Sequence, residues 1–334
     1  MALLVAPSAA VGQASLCDST VGGPYVRWSA STTGSGVASL PAHDTAFAAA
    51  SSRAYFVQGI KLLAFRNVAD AGGAAGSKAW EACVPTCAAG ATLQNFPTPV
   101  PVSNPALHGG ATEFLFVGAQ DGFLYKVGAI DGAVTAWKDT RRYAGTTLVC
   151  QSAPGDALNA TPAVVLYSHA SPAFRSDVDA LGHQGDDVVI VFTANGCGDT
   201  TRNRIIAYWA SDLAVKWTFN DGGTIGVDRG TEGCTIDYAN MRLFCGADLA
   251  DGATGQSSLF ALDIVSGGLI WATNAGAILN RPMLNFGTNR LYVASKPGSV
   301  MAYDPAGNGS GLGQPLWAAP LGVASTGTIV ARSP

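Results

Sequence analysis

The chain has few charged residues and no long apolar run. Only 13% of its 334 residues are charged, compared with roughly a quarter in an average soluble domain. The net charge is −4, and no cluster of Lys and Arg is dense enough to neutralise phosphates, which argues against nucleic acid as a partner. The longest apolar runs, at 162–167 and 188–192, have the length of strands. We therefore expect no membrane span.

Glycine, in contrast, is abundant, with 41 residues, and together with the low charge this favours a turn-rich β protein. Residues 115–138 read LFVGAQDGFLYKVGAIDGAVTAWK. Two apolar runs in this segment are joined by Gln120-Asp121-Gly122, and Asp-Gly between such runs is typical of a β-hairpin. A second turn at Gly132 then leads to Trp137.

The same pattern recurs along the chain. Each copy has an apolar run, a turn, a second apolar run, a Gly-rich turn and a tryptophan, and the five copies end at Trp80, Trp137, Trp217, Trp271 and Trp317. A further strand precedes most copies and often begins beside a proline, as at Pro41, Pro105, Pro162 and Pro282. Four short antiparallel strands in each unit predict the blade of a β-propeller.

The number of blades follows from the spacing of the tryptophans. Most intervals are close to the roughly 40–50 residues of a four-stranded blade. Trp28 extends the series, and the C-terminal stretch together with the N-terminal one has the length of one more blade. We therefore predict an all-β, single-domain propeller over 1–334 with six blades, approximately at 29–80, 81–137, 138–217, 218–271, 272–317, and 318–334 plus 1–28.

Ring closure depends on how the first residues are interpreted. If Ala2–Val5 forms a strand, the C-terminal strand at 327–330 completes its blade, and pairing the two chain ends hides both sheet edges. Residues 1–14 also resemble a leader remnant, although they lack a basic segment. A chain that is part of a larger propeller is a third possibility.

The repeat resembles that of the PQQ-like (quinoprotein-like) propellers, whose blades carry Ala-x-Asp, a Thr-Gly or similar turn, and a docking Trp. The best copies are Ala261-Leu-Asp263 with Ser266-Gly267 and Trp271, and Ala302-Tyr-Asp304 with Trp317. The resemblance implies that Trp28, Trp80, Trp137, Trp217, Trp271 and Trp317 are structural residues that cover the joints between blades. An indole N–H at such a joint is expected to find a backbone acceptor.

The resemblance also raises the possibility of quinone-dependent redox catalysis. Such dehydrogenases often carry adjacent cysteines against the cofactor, and this chain has no Cys-Cys pair. Cys83 and Cys87 have the wrong spacing for haem attachment, and no His follows them. We predict no organic cofactor, and PQQ in particular is not expected.

A calcium site is the one metal site that the sequence suggests. Asp177, Asp179 and Asp187 lie in the long third blade, with Gly182 between them in a loop of the Asp-x-Asp-x-x-Gly type. Leu181 stands where a further oxygen ligand is usual. A solvated acidic loop is therefore the alternative.

The seven cysteines favour an oxidising compartment, although buried free cysteines are also ordinary. Cys234 and Cys245 are symmetric about Ala239-Asn240, so a hairpin centred there would place them opposite each other. Cys83 with Cys87, and Cys150 with Cys197, are further candidate disulfides. We expect an extracellular, cell-surface or periplasmic protein.

Two functions remain open at this stage. The first is a non-catalytic module that binds a protein or a glycan through loops on one propeller face. The alternative is an enzyme, either a quinoprotein-like oxidoreductase or a hydrolase or lyase acting in the central channel. Its candidate carboxylates are Asp44, Asp228 and Glu232, which lie near predicted first strands.

Overall fold

The computed structural model describes residues 42–43, 53–58, 61–67, 69–84, 98–103, 113–141, 143–148, 157–194, 203–220, 233–248 and 256–322. These residues are nearly all in strands and turns. Within them, five sheets have four strands each, and every sheet is an antiparallel meander in chain order.

The first sheet contains β1 (Ala42–His43), β2 (Arg53–Gln58), β3 (Lys61–Arg66) and β4 (Lys78–Cys83). The second contains β5 (Val100–Ser103), β6 (Glu113–Gly118), β7 (Phe123–Gly128) and β8 (Val134–Asp139). A short hairpin follows, made of β9 (Tyr143–Ala144) and β10 (Thr147–Leu148).

The third sheet contains β11 (Ala163–Val165), β12 (Val188–Phe192), β13 (Ile205–Trp209) and β14 (Val215–Phe219). The fourth contains β15 (Cys234–Asp237), β16 (Arg242–Gly246), β17 (Leu259–Asp263) and β18 (Leu269–Thr273). The fifth contains β19 (Met283–Asn285), β20 (Arg290–Ser295), β21 (Ser299–Tyr303) and β22 (Pro315–Pro320).

The five sheets are blades of a β-propeller. Their first strands approach one another in chain order, β1 to β5, β5 to β11, β11 to β15 and β15 to β19, so these strands surround a central channel. The core lies between the faces of successive blades, where buried apolar side chains of each blade pack against those of the next. Burial on both faces explains the continuous apolar run of β12.

The predicted sixth blade, 318–334 plus 1–28, falls almost entirely outside the described residues, and so does Trp28. In the second blade the first strand is Val100–Ser103, preceded by Pro99, rather than a strand beginning at Pro105. The Thr98-Pro99 sequence thus corresponds to Thr161-Pro162 in the third blade, where β11 follows directly.

The long segment between β11 and β12 is helical rather than a loop. A 3₁₀ turn spans Tyr167–His169, and α1 spans Pro172–Ala180. Ser171 caps α1 by accepting a hydrogen bond from the N–H of Phe174, and Pro172 is at the first helical position. None of the helices in the described ranges has the length and hydropathy needed to cross a membrane.

Candidate functional site

Three tryptophans on fourth strands join one blade to the next. The indole N–H groups of Trp80, Trp217 and Trp271 donate to backbone carbonyls just beyond the third strand of the following blade, those of Ala129 (2.9 Å), Ile264 (2.8 Å) and Pro305 (3.0 Å). Each ring thus covers apolar surface and also satisfies its N–H group. The two contributions fix the angle between neighbouring blades.

A glycine lies beneath each of these rings. The φ angles are +73° at Gly132, +74° at Gly267 and +74° at Gly307. A Cβ atom at these positions would approach the ring atoms of Trp80, Trp217 and Trp271 to 2.7, 2.6 and 2.5 Å. The turn therefore needs glycine for its backbone conformation and for the close approach of the indole.

The strand register shows which position carries the docking tryptophan. In four blades it is paired with an alanine on the third strand, and the register shifts directly after that alanine; the pairs are Ala64 with Trp80, Ala207 with Trp217, Ala261 with Trp271, and Ala302 with Trp317. In the second blade the shift comes after Lys126, and Lys126 is paired with Ala136. Ala136 therefore occupies the tryptophan position there.

Trp137 is one residue beyond the docking position. Successive side chains of a strand point to opposite faces, so its indole points away from the third blade. Trp137 is 60% exposed, whereas Trp217 is 7% exposed. The prediction that Trp137 covers a joint is therefore wrong. Trp317 has the docking register, but the blade it would face lies outside the described residues.

Lys126 takes the place of the indole at the joint between the second and third blades. Its Nζ donates to the carbonyls of Ala210 (2.9 Å) and Ser211 (3.0 Å), just beyond β13. Lys126 is only 5% exposed, and its Nζ lies 4.4 Å from the ring centroid of Phe114. Burial lowers the pKa of Lys126, while the negative charges of Asp186 and Asp212 oppose this shift.

Leu213 replaces the docking glycine at the same joint. It follows Ala210 by three residues, as Gly132 follows Ala129 and Gly267 follows Ile264. Leu213 has φ +60° and is 1% exposed, and its side chain packs among apolar residues of both blades. The space that an indole fills at the other joints is therefore occupied by leucine.

The turn after β13 also anchors the helical insertion. Ser211 donates from its hydroxyl (2.5 Å) and from its N–H to the carboxylate of Asp186. His183 stacks on Trp209 with 4.0 Å between ring centroids, and its Nδ1 lies 3.3 Å from Asp186. Burial raises the pKa of Asp186, although the hydrogen bonds from Ser211 oppose the shift.

Each of the three carboxylates of the predicted calcium site already has a partner in the protein. Asp177 and Asp179 lie on α1, where Asp177 pairs with the Nζ of Lys216 (2.6 Å) and Asp179 accepts from the hydroxyl of Tyr167 (3.1 Å). Asp187 accepts from the backbone N–H of Tyr167 (2.8 Å). Among the described residues, no group of three His, Cys, Asp or Glu side chains could hold a metal ion. The expected binding loop is thus replaced by a helix.

The predicted disulfide between Cys234 and Cys245 is confirmed. The two residues are direct partners in the register of β15 and β16, with Cα atoms 4.3 Å apart. Cys83 is also disulfide-bonded. Cys87, Cys150 and Cys197 lie outside the described residues, so the pairings proposed for them stay predictions.

The wall of the central channel was the expected site of an enzyme. A cavity of about 570 Å³ lies between the first strands β5, β11 and β15. Apart from three threonines and Arg281, the described residues that line it are apolar or cysteine, and none of them is a carboxylate or a histidine. Asp44, Asp228 and Glu232 lie outside the described residues.

The surface around Trp137 forms a second candidate site, the rim patch, which consists of Phe123, Trp137, Asp139, Arg141 and Tyr143. The rings of Phe123 and Trp137 meet edge to face with 5.5 Å between centroids. The guanidinium of Arg141 lies 4.5 Å from the Phe123 centroid and donates to both oxygens of Asp139 (2.9 and 2.7 Å). Tyr143, 45% exposed, donates from its hydroxyl to Asp139 (2.6 Å).

The electrostatics of the rim patch keep its ion pair charged. Burial works against ionisation of Asp139, but hydrogen bonds from Arg141 and Tyr143 outweigh it and lower the pKa of this carboxyl. The same pairing raises the pKa of Arg141. All four lone-pair directions of the carboxylate are used, because Arg141 also donates its backbone N–H to Asp139. The patch therefore presents the exposed rings of Trp137 and Tyr143 and a guanidinium, that of Arg141, whose position is fixed by Asp139.

No protein-family model and no curated protein matches the sequence. Among solved structures the chain is similar to BamB from Moraxella catarrhalis, with a TM-score of 0.51 and 15% identity over 89% of this chain and 68% of that one. It is also similar to quinohemoprotein alcohol dehydrogenase from Comamonas testosteroni, with a TM-score of 0.52 and 14% identity over 85% of this chain and 43% of that one.

A third similar structure is BBS1N in complex with ARL6DN, with a TM-score of 0.50 and 13% identity over 86% of this chain and 69% of that one. The chain thus spans about two thirds of the length of BamB and less than half of the length of the dehydrogenase. At these identities the likeness shows the fold alone, and that fold is the β-propeller.

Proposed function

We propose that the protein is a non-catalytic propeller that binds a protein partner in an oxidising compartment, as a secreted, cell-surface or periplasmic protein. The exposure of Trp137 carries this proposal. The joint that a tryptophan would cover is completed by Lys126 and Leu213, so the exposed indole is not a packing defect. The indole also belongs to a contiguous group with Phe123 and Tyr143, and exposed apolar groups of this kind, unlike single scattered residues, mark interaction surfaces.

The composition of the rim patch favours a protein partner over a glycan. Trp, Tyr and Arg are the residue types that contribute most to the energetics of protein interfaces. Asp139 is fully used by Arg141 and Tyr143, so it has no acceptor capacity left for sugar hydroxyls. The similar BBS1N structure is itself a complex with a protein.

The disulfide between Cys234 and Cys245 supports the proposed compartment, because such bonds persist outside the reducing cytosol. The likeness to an alcohol dehydrogenase is not extended to activity here, since it concerns the fold and covers 43% of that enzyme.

Site-specific photo-crosslinking in the source cells tests the binding function. A photoreactive phenylalanine analogue replaces Tyr143 at the rim patch or, as a control, Ile130, which lies on a turn of the same blade and is at least as exposed. We expect a discrete crosslinked protein from position 143 that is absent from position 130 and is lost when Trp137→Ala is added. The same crosslinks from both positions, or crosslinks that persist without Trp137, would contradict the proposal.

A further inference from the structure

The edge of β8 offers backbone hydrogen-bonding groups beside the rim patch. Within the described residues β8 is the last strand of its sheet, so only β7 pairs with it. The N–H of Thr140 donates to the carbonyl of Gly122 (2.9 Å), and that of Gly128 donates to Ala133 (2.8 Å). Hydrogen-bonded pairs alternate along an antiparallel ladder.

The alternation assigns a direction to each residue of β8. Lys138, paired with Leu124, and Ala136, paired with Lys126, exchange hydrogen bonds with β7. The residues between and beyond them, Trp137 and Asp139, therefore direct their N–H and C=O groups away from the sheet. These two residues also belong to the rim patch. The backbone groups point outward in the plane of the sheet, and the exposed indole stands on one face of the sheet beside them, so both border the position that an added strand would take.

Another outer strand, β22, carries a feature that blocks the addition of a strand. Proline stands at both ends of β22, at Pro315 and Pro320, and proline cannot donate to a ladder. The segment Val134–Asp139 contains no proline. Its exposed positions hold Thr135 and Trp137, which are favourable residues for a paired strand.

Resting on the proposed binding function, we propose that β8 accepts an extended segment of the protein partner as an added strand, with a partner side chain packed on Trp137. Outward N–H and C=O groups in strand geometry are complementary to another extended strand. Charge selects among such segments. Lys138 has no ion-pair partner among the described residues, and Asp139 is already neutralised by Arg141. A segment with an acidic side chain opposite Lys138 is therefore favoured.

Peptide selection followed by amide hydrogen exchange tests this inference. Random peptides of about ten residues, longer than a typical strand, are displayed on phage and selected on the immobilised full chain. We expect acidic sequences whose synthetic peptides bind about tenfold or more weakly to Trp137→Ala and equally well to Ile130→Ala. Raised salt should weaken binding. The amides of Trp137 and Asp139 should gain protection in the complex, because they become ladder donors.

The two proposals fail in different ways. Peptides that bind Trp137→Ala as well as the natural chain, or that leave the amides of Trp137 and Asp139 unprotected, overturn strand addition. If the crosslinks from position 143 still depend on Trp137 in that case, the binding function stands and the contact is made by side chains alone. If those crosslinks are absent, the binding function itself is wrong.

Discussion

The joint between the third and fourth blades and the joint between the second and third blades solve the same problem with different chemistry. At the first, Trp217 lies on Gly267 and donates to the carbonyl of Ile264. At the second, Lys126 donates to the equivalent carbonyl of Ala210, and Leu213 fills the space above the turn. A carbonyl just beyond the third strand needs a donor in both joints.

The comparison shows that the docking residue is exchangeable as long as the donor and the apolar volume are both supplied. Tryptophan supplies them from one side chain, whereas the lysine joint divides them between Lys126 and Leu213. This division leaves the tryptophan of the second blade without a role at a joint. Its exposure at the rim is the structural basis of the proposed binding function.

The largest difference between the two regions is expected from removing each tryptophan. Trp217→Ala should lower the free energy of unfolding by about 3–5 kcal/mol, since it leaves a cavity in the core and removes the donor to Ile264. Trp137→Ala should change it by less than about 0.5 kcal/mol, as for other surface positions. Denaturant unfolding of both variants measures the contrast. Equal losses would mean that Trp137 does pack in a joint.

A second variant pair tests the glycine beneath the indole. Gly267→Ala should cost about 2–4 kcal/mol, because alanine is strained at positive φ and its Cβ would also collide with Trp217. Gly145 has φ +64° and an open surrounding, so Gly145→Ala should show only the backbone strain, about 1–2 kcal/mol. Thermal and denaturant unfolding report both. A Gly267→Ala loss no larger than that of Gly145→Ala would remove close packing of the indole as a cause.

The lysine joint predicts a smaller effect that depends on pH. Lys126→Met should cost about 1–3 kcal/mol at neutral pH, because the carbonyls of Ala210 and Ser211 lose their donor. Lys138→Met, on the neighbouring strand, should change the free energy of unfolding by less than about 0.5 kcal/mol. Equal effects of the two substitutions would show that the buried amine does not hold the joint.

The pH dependence has a definite sign. Burial holds the pKa of Lys126 in the folded chain below its ordinary value of 10.5. Between these two values the unfolded chain binds more protons than the folded one, so stability rises with pH in that window and is flat below it. The difference in free energy of unfolding between the natural chain and Lys126→Met, measured from pH 8 to about 11, should therefore increase. A decrease would mean that the hydrogen bonds to the ammonium outweigh its burial.

Most strands and turns of the fold can be predicted from the sequence, because apolar alternation and turn residues depend only on neighbouring positions in the chain. The hairpin that joins Cys234 to Cys245, for example, is visible as two runs symmetric about Ala239-Asn240. The start of α1 also has a local signal, because Ser171-Pro172 is a typical helix start.

The rim patch could not be predicted from the tryptophan count. Its signal is a one-residue difference: Trp217 and Trp271 follow their paired alanines by ten residues, whereas Trp137 follows Lys126 by eleven. This difference in spacing can be interpreted only when the strand register is known. The turn between the two strands also varies in length and is longer in the first and fifth blades. The role of Lys126 depends on a carbonyl 84 residues away, which no local pattern indicates.

The smallest effect is expected from adding calcium, which should leave the melting temperature unchanged. The carboxylates concerned lie on and just after α1. Asp177, Asp179 and Asp187 each have a partner in the protein, so a bound ion would have to compete with Lys216 for Asp177 and with Tyr167 for the other two carboxylates. We therefore expect the same melting temperature with calcium and with a chelator, for the natural chain and for Asp179→Asn. The control is Asp304→Asn, a half-buried aspartate of the fifth blade that accepts a hydrogen bond from the backbone N–H of Ala306. A rise in melting temperature that grows with calcium concentration and is lost only in Asp179→Asn would restore the metal site, because a ligand that binds the folded state stabilises it by mass action.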